Sequence, residues 1–178
     1  GIAVTRGADV LGRVSGRWHA GRMLTFEAGA SGSYGERTQE RHANLAGERG
    51  AQFADLQLQA GTATGWLDAT WKPVATVTLK GGVSGLAARR ATSGTASATG
   101  AMSATALAPH LEFAASPSAR RLVEGFVRAE RGVEAPTFDD LLAVRGTAPN
   151  LALGWTPLRI QQADTVAVGL RGRFGQPN

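Results

Sequence analysis

The sequence contains no cysteine and no long hydrophobic segment, and these absences remove several classes of protein. Without cysteine, disulfide frameworks, thiolate metal sites and cysteine nucleophiles are excluded. No apolar run approaches the ~18 residues that a transmembrane helix needs, and the longest uncharged stretch, Ala91 to Leu111, is mostly Ala, Ser, Thr and Gly. The first ten residues contain neither an initiator methionine nor a signal peptide, so we expect either a processed chain or part of a longer one.

Lysine is scarce: 17 of the 19 basic residues are arginine, against 14 acidic residues, for a net charge of +5. With 178 residues the chain is long enough for one domain, and its 24 Gly and 7 Pro are too few for a low-complexity protein. A nucleic-acid-binding protein gathers its basic residues on one patch. The arginines here are dispersed along the chain, so no nucleic-acid partner is expected.

Helical periodicity is weak throughout, because Gly recurs in every window that could form a helix. Alternation of apolar and polar residues is much clearer and is typical of strands with one apolar face. Near the end of the chain, for example, Val166, Val168 and Leu170 form one face of such a pattern. The alternation predicts seven strands, at residues 8–19, 22–37, 51–72, 75–89, 98–116, 119–131 and 163–175.

The connections between these strands alternate in length. Short ones are predicted at residues 19–22, 72–75 and 116–119, and long ones at 38–50, 90–97 and 132–162. In an up-and-down meander, the short turns then lie on one rim and the long loops on the other, as in bacterial outer-membrane barrels. The strands also reach the ~9–11 residues that cross a bilayer. We therefore predict an all-β fold, an antiparallel up-and-down meander that forms a segment of a transmembrane outer-membrane β-barrel over residues 1–178.

Two features leave alternatives open within this prediction. Leu56 and Leu58 have the opposite parity from Leu67, which indicates either a bulge near residues 61–65 or a stretch outside the membrane. Seven strands also cannot close an antiparallel barrel of even strand number. Either an eighth strand within residues 132–162 pairs with the first, giving a small self-contained barrel with a structural or adhesive role, or the chain is an excerpt from a larger barrel.

Several short segments between Gly65 and Arg171 occur in a fixed order. They are residues 65–73 (GWLDATWKP), 79–83 (LKGGV), 107–111 (LAPHL) with 113–117 (FAASP), 122–126 (LVEGF) with 135–141 (APTFDDL), and 158–171 (LRIQQADTVAVGLR). In this order they resemble the motifs "g.ylqdewrp", "ltl.aGlR", "sPrlgl…y.P", "fraPtf.eL" and "LkPE.a.tvElGlr" of TonB-dependent outer-membrane receptors. Two positions depart from the family. Its Pro-Glu pair falls on Ile160 and Gln161, and the Glu that precedes its strand glycine falls on Ala167, so a tether between loop and strand is either missing or rebuilt.

The resemblance implies the middle third, roughly, of a 22-stranded barrel in the outer membrane of a Gram-negative bacterium. The plug domain and the C-terminal strands of the family are absent from residues 1–178. It also implies a receptor that imports a chelated nutrient such as a ferric siderophore. Its expected partners are outer-membrane lipid, the ferric-siderophore-like ligand and the inner-membrane TonB energising complex, which acts through the plug.

The basic residues on the polar faces of the predicted strands allow two interpretations. These residues are Arg13, Arg17, Lys80, Arg128, Arg171 and Arg173. They could attract an anionic iron chelate inside a barrel. Alternatively, they pair across strands with the acidic residues of the same faces, Glu27, Asp68, Glu112 and Glu124. The sequence favours pairing.

The longest predicted loop supplies the candidates for ligand contact, and the other two predicted long loops would add to the same capture surface. The candidate ligand-binding residues are Arg145, Asn150, Trp155 and Arg159. Trp155 could stack on a ligand, or it could anchor the loop by its own burial. Trp18 and Trp71 lie beside short turns with the apolar parity, which is typical of an interfacial aromatic girdle.

Neither a catalytic site nor a metal site is expected, and no cofactor is expected either. His19, His42 and His110 lack the spacing of metal ligands, and no Gly-x-Ser-x-Gly nucleophile elbow occurs. Asp139 and Asp140 occur in a pattern typical of a capped turn and not of a catalytic pair. A soluble β-sandwich binding module is the remaining alternative, and it requires the apolar strand face to meet a second sheet.

Overall fold

Seven long strands account for most of the chain in the computed structural model, which describes residues 2–120, 122–146 and 152–172. The long strands are β1 (Ile2–Ala20), β2 (Leu24–Leu45), β3 (Glu48–Trp71), β4 (Val77–Gly94), β5 (Gly100–Ala115), β6 (Val123–Glu134) and β9 (Gln161–Gly172). A 3-10 turn, Ala96–Ala98, separates β4 from β5. Between β6 and β9 lie a four-residue helix, α1 (Phe138–Leu141), and two short strands, β7 (Leu142–Arg145) and β8 (Ala152–Trp155). Within the described residues, no helix is long and apolar enough to cross a membrane.

The long strands form one antiparallel sheet in the order β1-β2-β3-β4-β5-β6-β9. The predicted fold class, an all-β antiparallel meander, is therefore confirmed, as is the number of long strands. β1 and β9 are the two edges of this sheet and do not pair with each other in the part of the chain that the structure describes. β7 and β8 pair with each other and form a separate two-stranded sheet. Among the described residues, no strand of the segment between β6 and β9 pairs with β1.

Three short turns lie at one end of the sheet, at residues 21–23, 72–76 and, among the described residues, 116–120 with 122. Backbone hydrogen bonds link neighbouring turns: the N–H of Lys72 donates to the carbonyl of Met23 at 2.8 Å, and the N–H of Ser116 donates to the carbonyl of Thr76 at 2.8 Å. We call these three turns the turn rim and the opposite end of the sheet the loop rim. The predicted short connections are thus confirmed as one continuous rim.

The long loop predicted at residues 38–50 is wrong. β2 continues to Leu45, and a two-residue turn, Ala46-Gly47, leads directly into β3. Both turn residues have positive φ, 53° and 96°, which suits the tight turns that join adjacent antiparallel strands. Residues 36–45 are mostly polar, so they lack the apolar face on which the strand prediction depended.

Only one of the three predicted long loops remains a long connection, since β4 also continues to Gly94 beyond its predicted end. This connection, residues 135–160, contains α1, β7 and β8. Thr137 caps α1: its hydroxyl accepts the backbone N–H of Asp140 at 3.3 Å, and the Asp140 carboxylate accepts the backbone N–H of Thr137 at 2.8 Å. The interpretation of Asp139 and Asp140 as part of a capped turn is confirmed.

β3 carries apolar residues on both of its faces, but at different ends. Of the two explanations for the change of parity, the bulge near residues 61–65 is wrong, because β3 pairs with β4 without a register shift from Leu56 to Trp71. Leu56 and Leu58 therefore lie on one face of the sheet, and Leu67 and Trp71 lie on the other. The segment α1–β8 packs on the face of Leu56. We call this the inner face and the opposite one the outer face.

The buried core lies on the inner face near the loop rim. It consists of Ala54, Leu56, Leu58, Ala98, Leu142 and Leu153, with Phe138 and Trp155 packed against it. Leu56, Leu141 and Leu153 are completely buried. The core therefore joins the long connection to the sheet and lies away from the turn rim.

Candidate functional site

The outer face carries a continuous apolar surface next to the turn rim, which we call the outer band. Its most exposed large side chains are 38–79% exposed, and they are Val10, Val14, Trp18, Leu67, Trp71, Val83, Leu107, Leu111, Phe113, Val123, Val127, Val166, Val168 and Leu170. The outward positions between them are occupied by Gly, Ala, Pro and further Leu, Val and Phe residues, with Tyr34 at the edge. An exposed apolar surface of this extent marks contact with lipid or with another protein.

On every long strand, an outward polar residue marks the end of the outer band on the side of the loop rim. These residues are Arg6 in β1, Glu36 in β2, Gln59 in β3, Arg89 in β4, Thr105 in β5, Arg131 in β6 and Asp164 in β9. The boundary runs diagonally across the sheet: the strand register puts Arg6 in the row of Gln57 and Asp164 in the row of Leu67, ten residues apart along β3 over six strand-to-strand steps. If the boundary lies in one plane, this shift corresponds to strands that are tilted by roughly 45–50° from the normal to that plane.

The inner face near the turn rim is charged, and its arginines are largely paired. Arg17 of β1 lies 2.5 Å from Glu27 of β2. Arg171 of β9 lies 2.9 Å from Glu112 and 2.5 Å from Glu124. For these two arginines, the structure supports the cross-strand pairing interpretation over that of a free basic lining.

The other basic residues of this face differ in their surroundings. Arg128 pairs with Glu130 on its own strand. The guanidinium carbon of Arg13 lies 4.9 Å from the centroid of the Trp66 ring, which is a cation–π distance. Arg173 lies outside the described residues.

A glycine allows one further pair to form across a strand. His110 Nε2 on β5 lies 3.1 Å from Asp68 Oδ1 on β3, although β4 runs between them. The residue of β4 in the same row is Gly82, and a Cβ there would overlap Asp68 Oδ1 and lie 2.9 Å from His110 Cε1. An open cleft of about 280 Å³, the lower cleft, adjoins this pair, and its charged lining is Asp68, Lys80, His110, Glu112, Arg128, Glu130 and Arg131.

A second cleft, the upper cleft, lies on the inner face between the sheet and α1. It has a volume of about 480 Å³, and its polar lining is Thr5, Asp9, Arg37, Gln39, Arg90, Thr137 and Asp139. Arg37 lies 2.7 Å from Asp9. Arg90 forms no ion pair with a carboxylate of the described residues; its Nη1 donates to the carbonyl of Gly61 at 2.8 Å and to Thr62 Oγ1 at 3.1 Å.

The arginines of the upper cleft were not identified as site residues from the sequence. Arg37, Gln39 and Arg41 share one face of β2, and Arg41 lies 3.6 Å from Asp139 of α1. They fall in or beside the segment predicted as a loop, so their faces were not assigned. Their period-two spacing was the available signal, since alternation between charged and other polar residues also marks a strand whose two faces differ.

The four predicted ligand residues do not form one site in the described part of the chain. Trp155 packs against Gly100 and the buried core, which favours the loop-anchor interpretation. Arg145 is exposed at the other end of the β7–β8 hairpin, and Arg159 is exposed in the segment before β9. None of these three lines the lower or the upper cleft. Asn150 lies outside the described residues.

Trp18 and Trp71 both lie at the turn-rim edge of the outer band, 58% and 47% exposed. Within the described residues, no three side chains of the metal-binding types gather into a possible metal site.

Comparison with known proteins adds no relative. No protein-family model matches this chain, and no curated protein matches its sequence.

Proposed function

We propose that this chain is a membrane-spanning part of an outer-membrane β-barrel in a Gram-negative bacterium. The single observation that carries the proposal is the outer band, in which every outward position between the turn rim and the diagonal boundary is apolar apart from the Tyr34 hydroxyl. Lipid acyl chains cover such a surface without a specific partner, and strands cross a bilayer only when neighbouring strands satisfy their backbone groups.

The dimensions of the band support the proposal. A flat membrane surface crosses tilted strands along a diagonal in sequence register, and the tilt of roughly 45–50° resembles the ~35–45° of outer-membrane barrels. At that tilt, the outward stretch from Gly61 to Trp71 on β3 rises roughly 24 Å. The apolar band of such barrels is ~25 Å tall.

The position of the buried core disfavours a soluble β-sandwich. A sandwich would cover the outer band with a second sheet. The second sheet of this chain, β7–β8, instead packs on the inner face, next to Leu56 and Leu58. The small closed barrel is also disfavoured. It needs a strand between β6 and β9 that pairs with β1, and the two strands described there, β7 and β8, pair with each other instead.

Within the barrel class, we propose a TonB-dependent receptor that imports a chelated nutrient such as a ferric siderophore. The support is the ordered set of motifs in residues 65–171, together with strand length. β3 has 24 residues, more than twice the ~9–11 of one bilayer crossing, so the strands continue well beyond the band on the loop-rim side. Such a receptor has the inner-membrane TonB energising complex and the chelated ligand as partners.

Two features of the inner face bear on this role. Arg90, with no carboxylate partner among the described residues, gives the upper cleft a positive group for an anionic chelate. Ala167, where the resembled family carries Glu, lies opposite Arg128 in the register, and Arg128 pairs with Glu130 instead. The pair Arg128–Glu130 lies within β6, so it does not replace a tether between loop and strand.

Single cysteines on adjacent residues of β4 test the membrane proposal. Val83 lies on the outer band, Ser84 lines the lower cleft, and the absence of native cysteine makes each introduced thiol unique. With the chain in lipid vesicles, we expect a fluorophore on Val83→Cys to be quenched by brominated acyl chains. A fluorophore on Ser84→Cys should be quenched by aqueous iodide. Equal quenching by iodide at both positions would contradict the proposal.

The reading frame around this segment in its source DNA tests the family separately. We expect several hundred codons, with a plug domain upstream and a terminal strand that ends in an aromatic residue downstream. A frame that encodes only a signal peptide and residues 1–178 would overturn the receptor while leaving the membrane proposal intact.

A further inference from the structure

The charged residues of the turn rim all have the same sign. Among the described residues, the turns contain the basic residues Arg22, Lys72 and Arg120. None of the three turns contains Asp or Glu. In contrast, the long connection at the loop rim carries Asp139 and Asp140 as well as Arg145 and Arg159. The basic character therefore belongs to one rim and not to connections in general.

These basic side chains are available for an external partner. Arg22, Lys72 and Arg120 are exposed, and none of them forms an ion pair with a carboxylate of the described residues. The backbone hydrogen bonds between neighbouring turns hold Lys72 and Met23 on adjacent parts of one surface. Because no carboxylate of the described residues pairs with these three cations, all three can attract an anionic partner.

Exposed apolar side chains lie in the same turns and connect the basic row to the outer band. Met23, Val74 and Leu122 are each 55% exposed, and Trp18 and Trp71 lie at the adjacent edge of the band. Apolar and aromatic residues beside Lys and Arg are typical of the membrane–water interface, where the apolar parts enter the acyl region and the cations reach the headgroups. The combination suits a lipid surface better than a soluble anion, because a soluble anion would leave the apolar neighbours exposed to water.

We propose that the turn rim binds the phosphate groups of anionic phospholipid headgroups on its side of the bilayer. The inference rests on the proposed membrane location and adds a lipid class to it. Basic residues near an anionic bilayer surface each strengthen association about fivefold. The contribution falls as salt shortens the range of the attraction.

The test compares two variants of the 178-residue chain with the same change in charge. One variant replaces the basic residues of the turn rim, Arg22→Gln, Lys72→Gln and Arg120→Gln. The control replaces three exposed arginines on the loop-rim side, away from the outer band, Arg49→Gln, Arg145→Gln and Arg159→Gln. Partition of each chain onto phosphatidylcholine vesicles, with and without phosphatidylglycerol, is measured by flotation at low and high salt.

We expect the wild type and the control to prefer the vesicles with phosphatidylglycerol, and this preference to fall by about fivefold for each removed charge in the turn-rim variant. High salt should remove most of the difference. Equal loss in both variants, or no preference in the wild type, would overturn the turn-rim proposal alone, provided that the chains still associate with neutral vesicles. Failure of the wild type to associate with either kind of vesicle would overturn the membrane proposal as well.

Discussion

The half of the sheet next to the turn rim and the half next to the loop rim are built from the same strands but place their apolar residues on opposite faces. Near the turn rim, apolar side chains point outward and charged pairs occupy the inner face. Near the loop rim, the outer face is polar and the inner face holds the buried core. β3 contains both arrangements: Leu67 points outward and is 53% exposed, whereas Leu56 points inward and is completely buried.

This difference shows that the environment of each face determines which face of a strand carries the apolar residues. The hydrophobic effect is not directional, so an apolar side chain is stable on whichever face excludes water. Side chains alternate strictly along a strand, so a change of environment changes the parity of the apolar residues without a bulge. In β3, the change coincides with the level at which the segment α1–β8 begins to cover the inner face.

The largest effect that separates the two halves is expected from Leu56→Ala. This substitution removes a completely buried side chain and leaves a cavity, so it should lower the free energy of unfolding by about 2–5 kcal/mol. Leu67→Ala on the same strand should cost less, about 1–2 kcal/mol, because lipid acyl chains fill the space and only the transfer of the side chain is lost. Urea unfolding in lipid vesicles measures both values.

A local measurement distinguishes core loss from general destabilisation. Leu56 packs in the same core as Leu142 and Leu153 of the β7–β8 hairpin, and Arg145 is an exposed trypsin site in that hairpin. Leu56→Ala should speed cleavage after Arg145, and Leu67→Ala should leave its rate unchanged. Similar cleavage rates in the two variants would show that the inner core does not hold the hairpin.

A slightly smaller single cost is expected from Leu111→Arg, and Ser103→Arg is its comparison. Both residues point outward on β5, with Leu111 within the outer band and Ser103 beyond its boundary. An arginine near the middle of a lipid-facing band costs about 2–4 kcal/mol, whereas one near the interface costs about 0–1 kcal/mol. Unfolding in vesicles should give this order, and equal costs would move the boundary of the band or remove it.

The same contrast explains how much of the fold could be predicted from the sequence. Near the turn rim, each strand has one apolar face, so alternation identified all seven long strands and their short turns. Near the loop rim, residues 36–45 have two polar faces, and a pattern that depends on apolar residues could not identify them as strand. Leu56 and Leu58 were identified as having changed parity, but the sequence alone could not show that a distant segment covers them.

The candidate site was predicted less completely, for a related reason. Pairing of Arg17 and Arg171 followed from their place on the polar faces of predicted strands. The upper cleft requires α1 to pack near Arg37 and Arg90, which are separated from it by about 50–100 residues. Such contacts depend on how the long connection folds back, and alternation within a single strand contains no information about that.

The smallest effect concerns the helix cap that begins the covering segment of the loop-rim half. Hydrogen bonds from the backbone N–H and the hydroxyl of Thr137 hold the pKa of Asp140 below its usual range. A lowered pKa in the folded state means that the stabilisation is fully present above the ordinary aspartate pKa of about 3.9 and is lost as the pH falls through the folded value.

We therefore expect a difference in hydrogen exchange at the amide of Leu141, which donates to the carbonyl of Thr137. At pH 6 this amide should be better protected in the wild type than in Asp140→Asn. The two should converge as the pH falls below the folded-state pKa of Asp140. Asp139→Asn is the matched control, because the Asp139 side chain is 93% exposed and takes no part in the cap, so its profile should follow the wild type. The same protection in Asp140→Asn and the wild type at pH 6 would mean that the capping carboxylate does not stabilise the start of this segment.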